Sequence, residues 1–175
     1  CITAGTQPKT TLEDAAAAVD DPSLIRELGI NSSVESLAGL ELFPNVEKLS
    51  VDAGSLGDVD AVIRMQHLTS LTLEDADMIS DFSALSAAQG LEELVIESEN
   101  LRSLDFLKKM PQLKSFGISD GELLNLDGIE VLENLERLSV TDCDELKNMS
   151  AVETMTGLKV LTMENSYDCE EPSLG

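Results

Sequence analysis

Three features of the sequence point to a solenoid of stacked, strand-bearing coils. The first is a pattern, apolar-x-x-apolar-x-apolar, at Val46/Leu49/Val51, Leu68/Leu71/Leu73 and Leu91/Leu94/Ile96, and again at Leu113/Phe116/Ile118, Leu135/Leu138/Val140 and Leu158/Leu161/Met163. Its first members are spaced 22, 23, 22, 22 and 23 residues apart. The second is a degenerate copy, Ile25/Leu28/Ile30, lying 21 residues before the first and bringing the coils to seven. The third is that the stretches between the patterns repeat as well. Leu56, Met78, Leu101 and Leu123 stand ten positions after the first apolar residue, and Val62, Leu85, Leu107, Ile129 and Val152 stand sixteen or seventeen after it. A fixed period of this size marks units that cannot bury an apolar face alone and stack to share one core. The slips fall in the two 23-residue coils, which places the extra residue in the turn after the strand. Pro44 and Pro111, two residues ahead of Val46 and Leu113, mark where an outer segment ends and a strand begins, because proline has no donor and cannot continue a helix.

Bulk composition sets the outer bounds. The chain has 175 residues, with 34 Asp plus Glu against 11 Lys plus Arg and one His, a formal charge of −23. That length suits one domain with a real core. Apolar residues make up 42%, too many for a disordered acidic tail. No apolar run approaches the roughly 18 residues that a membrane-spanning helix needs. A chain this negative repels phosphate instead of displacing its counterions, which excludes nucleic acid as a partner.

The pattern resembles the leucine-rich repeat family, in the short 22-residue bacterial form of internalin-like proteins, across residues 25–175. The resemblance implies an α/β fold: a right-handed superhelix with a parallel β-sheet on its concave face and short helical or irregular convex segments. It also implies a protein-binding role without a cofactor. One departure matters. The family usually places Asn, or sometimes Cys, three residues after the last strand apolar, where the side chain bonds backbone of neighbouring coils. Here that slot holds Gly54, Ala76, Glu99, Gly121, Cys143 and Ser166, so the asparagine ladder is missing.

A solenoid exposes core edges at its ends and needs caps there. Residues 11–24 are expected to form an N-terminal capping helix. Thr10 with Glu13 reads as a capping box, Leu12, Ala15, Ala16 and Val19 share one helical face, and Asp20, Asp21 and Pro22 stop the helix. Residues 1–10 are polar without periodicity and read as a flexible leader. After Met163 the sequence shows no capping element. Leu174 falls in the convex apolar slot, and the last strand, at Leu161 and Met163, is a template for pairing with another edge. Otherwise a monomer is expected.

Each of the three cysteines has its own reading. Cys143 occupies the asparagine slot. Cys169 occupies the turn position of Leu146 one coil earlier, where a buried thiol acts as a small apolar residue, and pairing of the two is open. Cys1 opens the chain ahead of a polar leader, as a lipidated cysteine does in a mature bacterial lipoprotein; a chance start at Cys is the other reading. Either fits an extracellular or cell-surface location.

Function in such an architecture falls on the exposed strand positions. Of 28 such positions nine are acidic and two, Lys48 and Arg137, are basic. Asp52, Glu74 and Glu97 follow one another on successive strands with Asp75 beside them, and Asp120 and Asp142 extend the acidic field. Strands stand about 4.8 Å apart, so these carboxylates repel one another unless a cation satisfies them. Two readings stay open: a shallow groove for a Lys/Arg-rich protein segment, or a solvated acidic face kept for solubility. Ca²⁺ shared by Asp52, Glu74, Asp75 and Glu97 is a third, without the ligand-spaced loop that such sites use, and no metal site is assigned. The open face carries no aromatic anchor, so contact there is expected to be weak or electrostatically steered.

Catalysis is not expected. The single His67 lies about 14 Å, three strand spacings, from Cys143 and faces a different turn. No phosphate-cradling glycine loop or sugar-stacking platform is visible, and Lys108 and Lys109 read as solvated convex surface. What remains is a protein-interaction module at a bacterial cell surface, with a structural spacer of a larger surface protein or a Ca²⁺-dependent adhesion module as alternatives.

Overall fold

The structure is a computed structural model that describes residues 11–31 and 34–166. Seven strands form one sheet in sequence order: β1 (Glu27–Ile30), β2 (Lys48–Asp52), β3 (Ser70–Glu74), β4 (Glu93–Glu97), β5 (Ser115–Ser119), β6 (Arg137–Thr141) and β7 (Val160–Glu164). Every neighbouring pair is parallel, and the three-point patterns lie in register: Leu49 faces Leu71, Leu71 faces Leu94, Leu94 faces Phe116 and Phe116 faces Leu138. Strand residues alternate between faces, so the second and third apolar positions point inward and the residues between them point out. Leu71, Leu73, Leu94, Ile96 and Val140 have no measurable exposure.

The return segments build the other wall. Short 3₁₀ turns at Leu40–Leu42, Val62–Arg64, Ser83–Ala87, Asp105–Lys109 and Ile129–Val131, and a helix α2 at Ser150–Glu153, each drop an apolar residue onto the sheet. Leu40, Val62, Leu85, Leu107 and Ile129 form that buried column. The core runs unbroken from Ala16 to Met149. Each side chain buried in this way contributes about 1.5–3 kcal/mol, so coils are held by their neighbours rather than by their own short helices.

Residues 11–24 do not form one helix but a short helix followed by a separate turn. Helix α1 spans Leu12–Ala17, with Thr11 as its N-cap and Asp14 completing the capping box. Thr11 Oγ1 accepts from the Asp14 amide at 3.1 Å, and the Asp14 carboxylate accepts from the Thr11 amide at 3.1 Å. The box therefore sits one residue later than Thr10/Glu13. Val19 lies beyond the helix and is exposed. A separate 3₁₀ turn, Pro22–Leu24, capped by Asp21, leads into β1. Gly39 explains how the cap seats: its φ is +93°, and a Cβ there would stand 3.0 Å from Leu12 Cβ. Absence of a side chain lets α1 lie directly on the first coil.

The turn after each strand corrects two slot assignments. A small residue is buried there in every coil from β2 to β6: Ala53, Ala76, Ser98, Gly121 and Cys143. Gly54 and Glu99 are exposed instead, and Ala53 and Ser98 fill the position one residue earlier. The cause is a single inserted residue. Asp75, Asp120 and Asp142 adopt left-handed backbone immediately before the buried position, as Asn165 does before half-buried Ser166, with φ +52° to +58°; the coils of β2 and β4 lack this residue. The same slip moves Met78 outward and puts Ile79 in the core. Ser98 restores one rung of the missing ladder: its hydroxyl donates to the Ala76 carbonyl at 3.1 Å and accepts from the Asn100 amide at 3.2 Å.

Candidate functional site

The open face of the sheet has two rims of different electrostatic character. At the entry rim, just before and at the first strand residue, opposite charges meet across three coil junctions. The coil of β3 has only Thr69 and Ser70 there, and neither Glu93 nor Arg137 joins an ion pair among the described residues. Arg26 pairs with Glu47 at 3.5 Å, Lys48 with Glu27 at 3.4 Å, Lys114 with Glu92 at 2.8 Å and Lys159 with Glu136 at 2.7 Å. Each pair joins successive coils, because the repeat places these residues side by side. The hydrogen bond from Lys159, reinforced by its charge, holds the Glu136 carboxyl below the usual carboxylate range.

The exit rim has no such compensation. Asp52 is paired in register with Glu74, and Glu97 follows on β4, where it faces Ser119. Asp75, Asp120 and Asp142 occupy the left-handed positions next to this column. Among the described residues no Lys or Arg forms an ion pair with any of these six acids. Local bonds come from neutral donors only: Ser50 Oγ lies 3.3 Å from Glu74 Oε1, the Gly54 amide donates to Asp52 at 3.3 Å, Ser119 Oγ lies 3.5 Å from Asp120 Oδ2, and Asn165 Nδ2 donates to Asp142 at 2.9 Å. Partial burial, followed by the charges of Asp75, Asp120, Glu74 and Asp77, pushes the Glu97 carboxyl above its ordinary value. The structure thus gathers the six acids along one rim, with Glu97 at the centre of the repulsion.

Between the rims the floor is shallow. Gly29, Ser50, Thr72, Val95, Gly117, Ser139 and Thr162 form the central column, and Val95 is its exposed apolar member at 40%. Two depressions of about 320 and 290 Å³ lie elsewhere, on the return side. One is lined by Asp58, Asp60, Ile63 and Asp81, the other by Asn45, Arg64, Gln66 and His67. His67 precedes β3 while Cys143 follows β6, so the two stand at opposite ends of the strands. Cys143 is buried, with its thiol 3.3 Å from the Thr141 carbonyl. Among the described residues no three acidic, His or Cys side chains converge on a point that a metal ion could occupy. No described helix is long and apolar enough to cross a membrane. Cys1, Cys169, Leu174 and the 1–10 leader lie outside the described residues.

Sequence reasoning missed the entry side. Three residues before each strand stands a second column, in which Asn45, Gln112 and Asn134 donate side-chain amides to carbonyls of the preceding coil: Ser23 at 2.8 Å, Ala88 at 3.2 Å and Pro111 at 2.9 Å. This is an amide ladder on the opposite side of the strands from the one the family uses. Its signal was present in the sequence, since Asn45 and Gln112 directly follow Pro44 and Pro111.

No family model and no curated protein matches the sequence. Solved structures do match in shape. The leucine-rich repeat domain of the type III effector XopL superposes with a TM-score of 0.67 at 16% identity, over 91% of this chain and 57% of that one. A leucine-rich repeat protein of Leptospira interrogans gives 0.61 at 17%, over 90% and 46%, and an internalin of Listeria monocytogenes gives 0.57 at 20%, over 79% and 46%. The chain spans about half the length of each of these three. It has the leucine-rich-repeat fold, an α/β solenoid of the kind seen in internalins.

Proposed function

We propose that this chain is a protein-interaction module that docks a partner on the open face of its sheet, with Asp52, Glu74, Asp75, Glu97, Asp120 and Asp142 supplying an attractive field for a basic segment. The observation that carries this reading is the contrast between the rims. The same 22–23-residue period that neutralises charge at strand entry stacks like charge at strand exit, and folding drives the Glu97 carboxyl upward as a result. A cation from outside relieves that repulsion; among the described residues no Lys or Arg on the rim does. The floor offers neither a pocket nor a catalytic pair, so binding rather than chemistry is the role it suits, and the absence of an aromatic anchor favours reversible, salt-sensitive contact. The internalin-like repeat supports a bacterial cell-surface location for this module.

The test is binding of a labelled oligolysine peptide to the folded protein by fluorescence anisotropy. Affinity should fall steeply between 20 and 300 mM salt (roughly from beyond the width of the rim to about 6 Å in Debye length) and should be lost in the Glu74→Lys/Glu97→Lys variant. Binding that survives the double reversal would sink this reading. Adding millimolar Ca²⁺ should leave the melting temperature unchanged; a rise that chelation reverses would move ion binding to first place.

A further inference from the structure

The exit rim accounts for one sign of charge on the open face; Arg137 carries the other. It opens β6 on the exposed side, and among the described residues no carboxylate pairs with it. Glu136 beside it is already bonded to Lys159 at 2.7 Å. Lys48, the other base on this face, is engaged by Glu27. A guanidinium left open on a chain of charge −23 is therefore a specific feature of the surface. Register fixes its place relative to the acids. Glu97 faces Ser119, Ser119 faces Thr141, and Arg137 begins the strand that Thr141 ends. Midway on this diagonal lies Gly117, between Val95 and Ser139 in the central column. It brings no side chain and is buried, because Val95 leans over it, its Cγ2 only 3.3 Å from where a Cβ would stand, so a crossing chain meets the exposed Val95 there.

We propose that the open face recognises an extended protein segment bearing both signs of charge: a Lys or Arg at the Glu74–Glu97 rim and an Asp or Glu at Arg137, with the backbone between them crossing the central column over Val95. This rests on the docking reading above and adds partner chemistry and spacing to it. Two strand separations of about 4.8 Å and four residues of about 3.3 Å put the two ends roughly 16 Å apart, or about five residues of extended chain. Arg suits the acidic end because its planar fork takes a carboxylate through two hydrogen bonds.

Three labelled peptides of equal length test it by anisotropy at low salt: two lysines and two glutamates separated by four neutral residues, the same peptide with glutamine in place of glutamate, and a version with the charges brought together by a one-residue spacer. The first should bind at least threefold tighter than either of the others, although its net charge is less favourable than that of the glutamine peptide. Arg137→Gln should erase that advantage and leave the affinity of the glutamine peptide unchanged. Equal or weaker binding of the first peptide, or an advantage that persists in Arg137→Gln, would overturn the inference. Docking at the acidic rim stands separately if the glutamine peptide binds and the Glu74→Lys/Glu97→Lys change abolishes that binding; if it does not bind at all, both fall.

Discussion

The two rims of the sheet are built by one repeat and reach opposite electrostatic results. At strand entry, Glu92–Lys114 and Glu136–Lys159 tie successive coils, and amides of Gln112 and Asn134 bond the coil before. At strand exit, Asp52, Glu74 and Glu97 stack without counter-ions, and the turn beneath them admits only small buried residues. A translational repeat multiplies whatever it places in a column. Opposite charge then becomes a set of bridges, and like charge becomes a standing field. Stability resides mainly in the core, so a column of repulsion is tolerable at one rim.

The largest effects should come from the packed side of this contrast. Ala76 is fully buried in the exit turn, against the coils on either side. Ala76→Leu should destabilise by about 3 kcal/mol in urea unfolding, at the upper end of the usual cost of overpacking. Asn134→Ala on the entry side removes one hydrogen bond and should cost about 1 kcal/mol. If the two proved equal, the exit column would be looser than its burial implies.

Charge substitutions should then differ in sign between the rims. Glu136→Lys places a fourth cation beside Lys159, Arg137 and Lys114 and should lower the melting temperature, whereas Glu97→Gln removes a repelled carboxylate and should raise it. Adding salt should shrink both differences. Acid titration separates the same two groups. Glu136 has its carboxyl held below the ordinary 4.5, so its contribution is present above that value and is lost as pH falls through the lowered one. Glu97 has its carboxyl raised, so the folded state takes up its proton first; its contribution is favourable below 4.5 and is lost as pH rises through the raised value. On lowering the pH from 7, the stability gap between wild type and Glu97→Gln should therefore close before that between wild type and Glu136→Lys begins to change. Gaps that moved together would argue against distinct rims.

These differences also show what the sequence made legible. The strands, their order and their register could be read because burial on one face imposes the three-point pattern, and a pattern held over six intervals leaves little freedom. The acidic column followed from that register. The turns were harder. Asp and Asn are the side chains that enter a left-handed backbone most readily, but a chain with this many exposed acids does not mark which of them do so, and Met78 stood in for Ile79 and Gly54 and Glu99 stood in for Ala53 and Ser98. In the coil of β5 the inserted residue is masked altogether, because the stretch from Gly121 to buried Leu123 is one residue shorter than its counterparts and the period stays at 22. The entry rim was missed for another reason. Its bridges join residues 21 to 23 apart, and they emerge only when the coils are aligned column by column.

The smallest expected effect tests that inserted residue directly. Asp75 has φ +54°, where a side chain is strained and glycine is not; Asp52, one coil earlier, ends β2 in extended backbone. Asp75→Gly should therefore stabilise the protein by several tenths of a kcal/mol, through relief of strain and of one like charge together. Asp52→Gly also removes a like charge but adds flexibility to a strand, at a cost of about 0.5–1 kcal/mol, and should come out neutral to destabilising. Chemical unfolding of the pair side by side reads the difference, and since both remove one negative charge from the same rim, that difference isolates the backbone. Two equal shifts would mean that electrostatics alone governs the rim and that the left-handed turn carries no strain worth relieving.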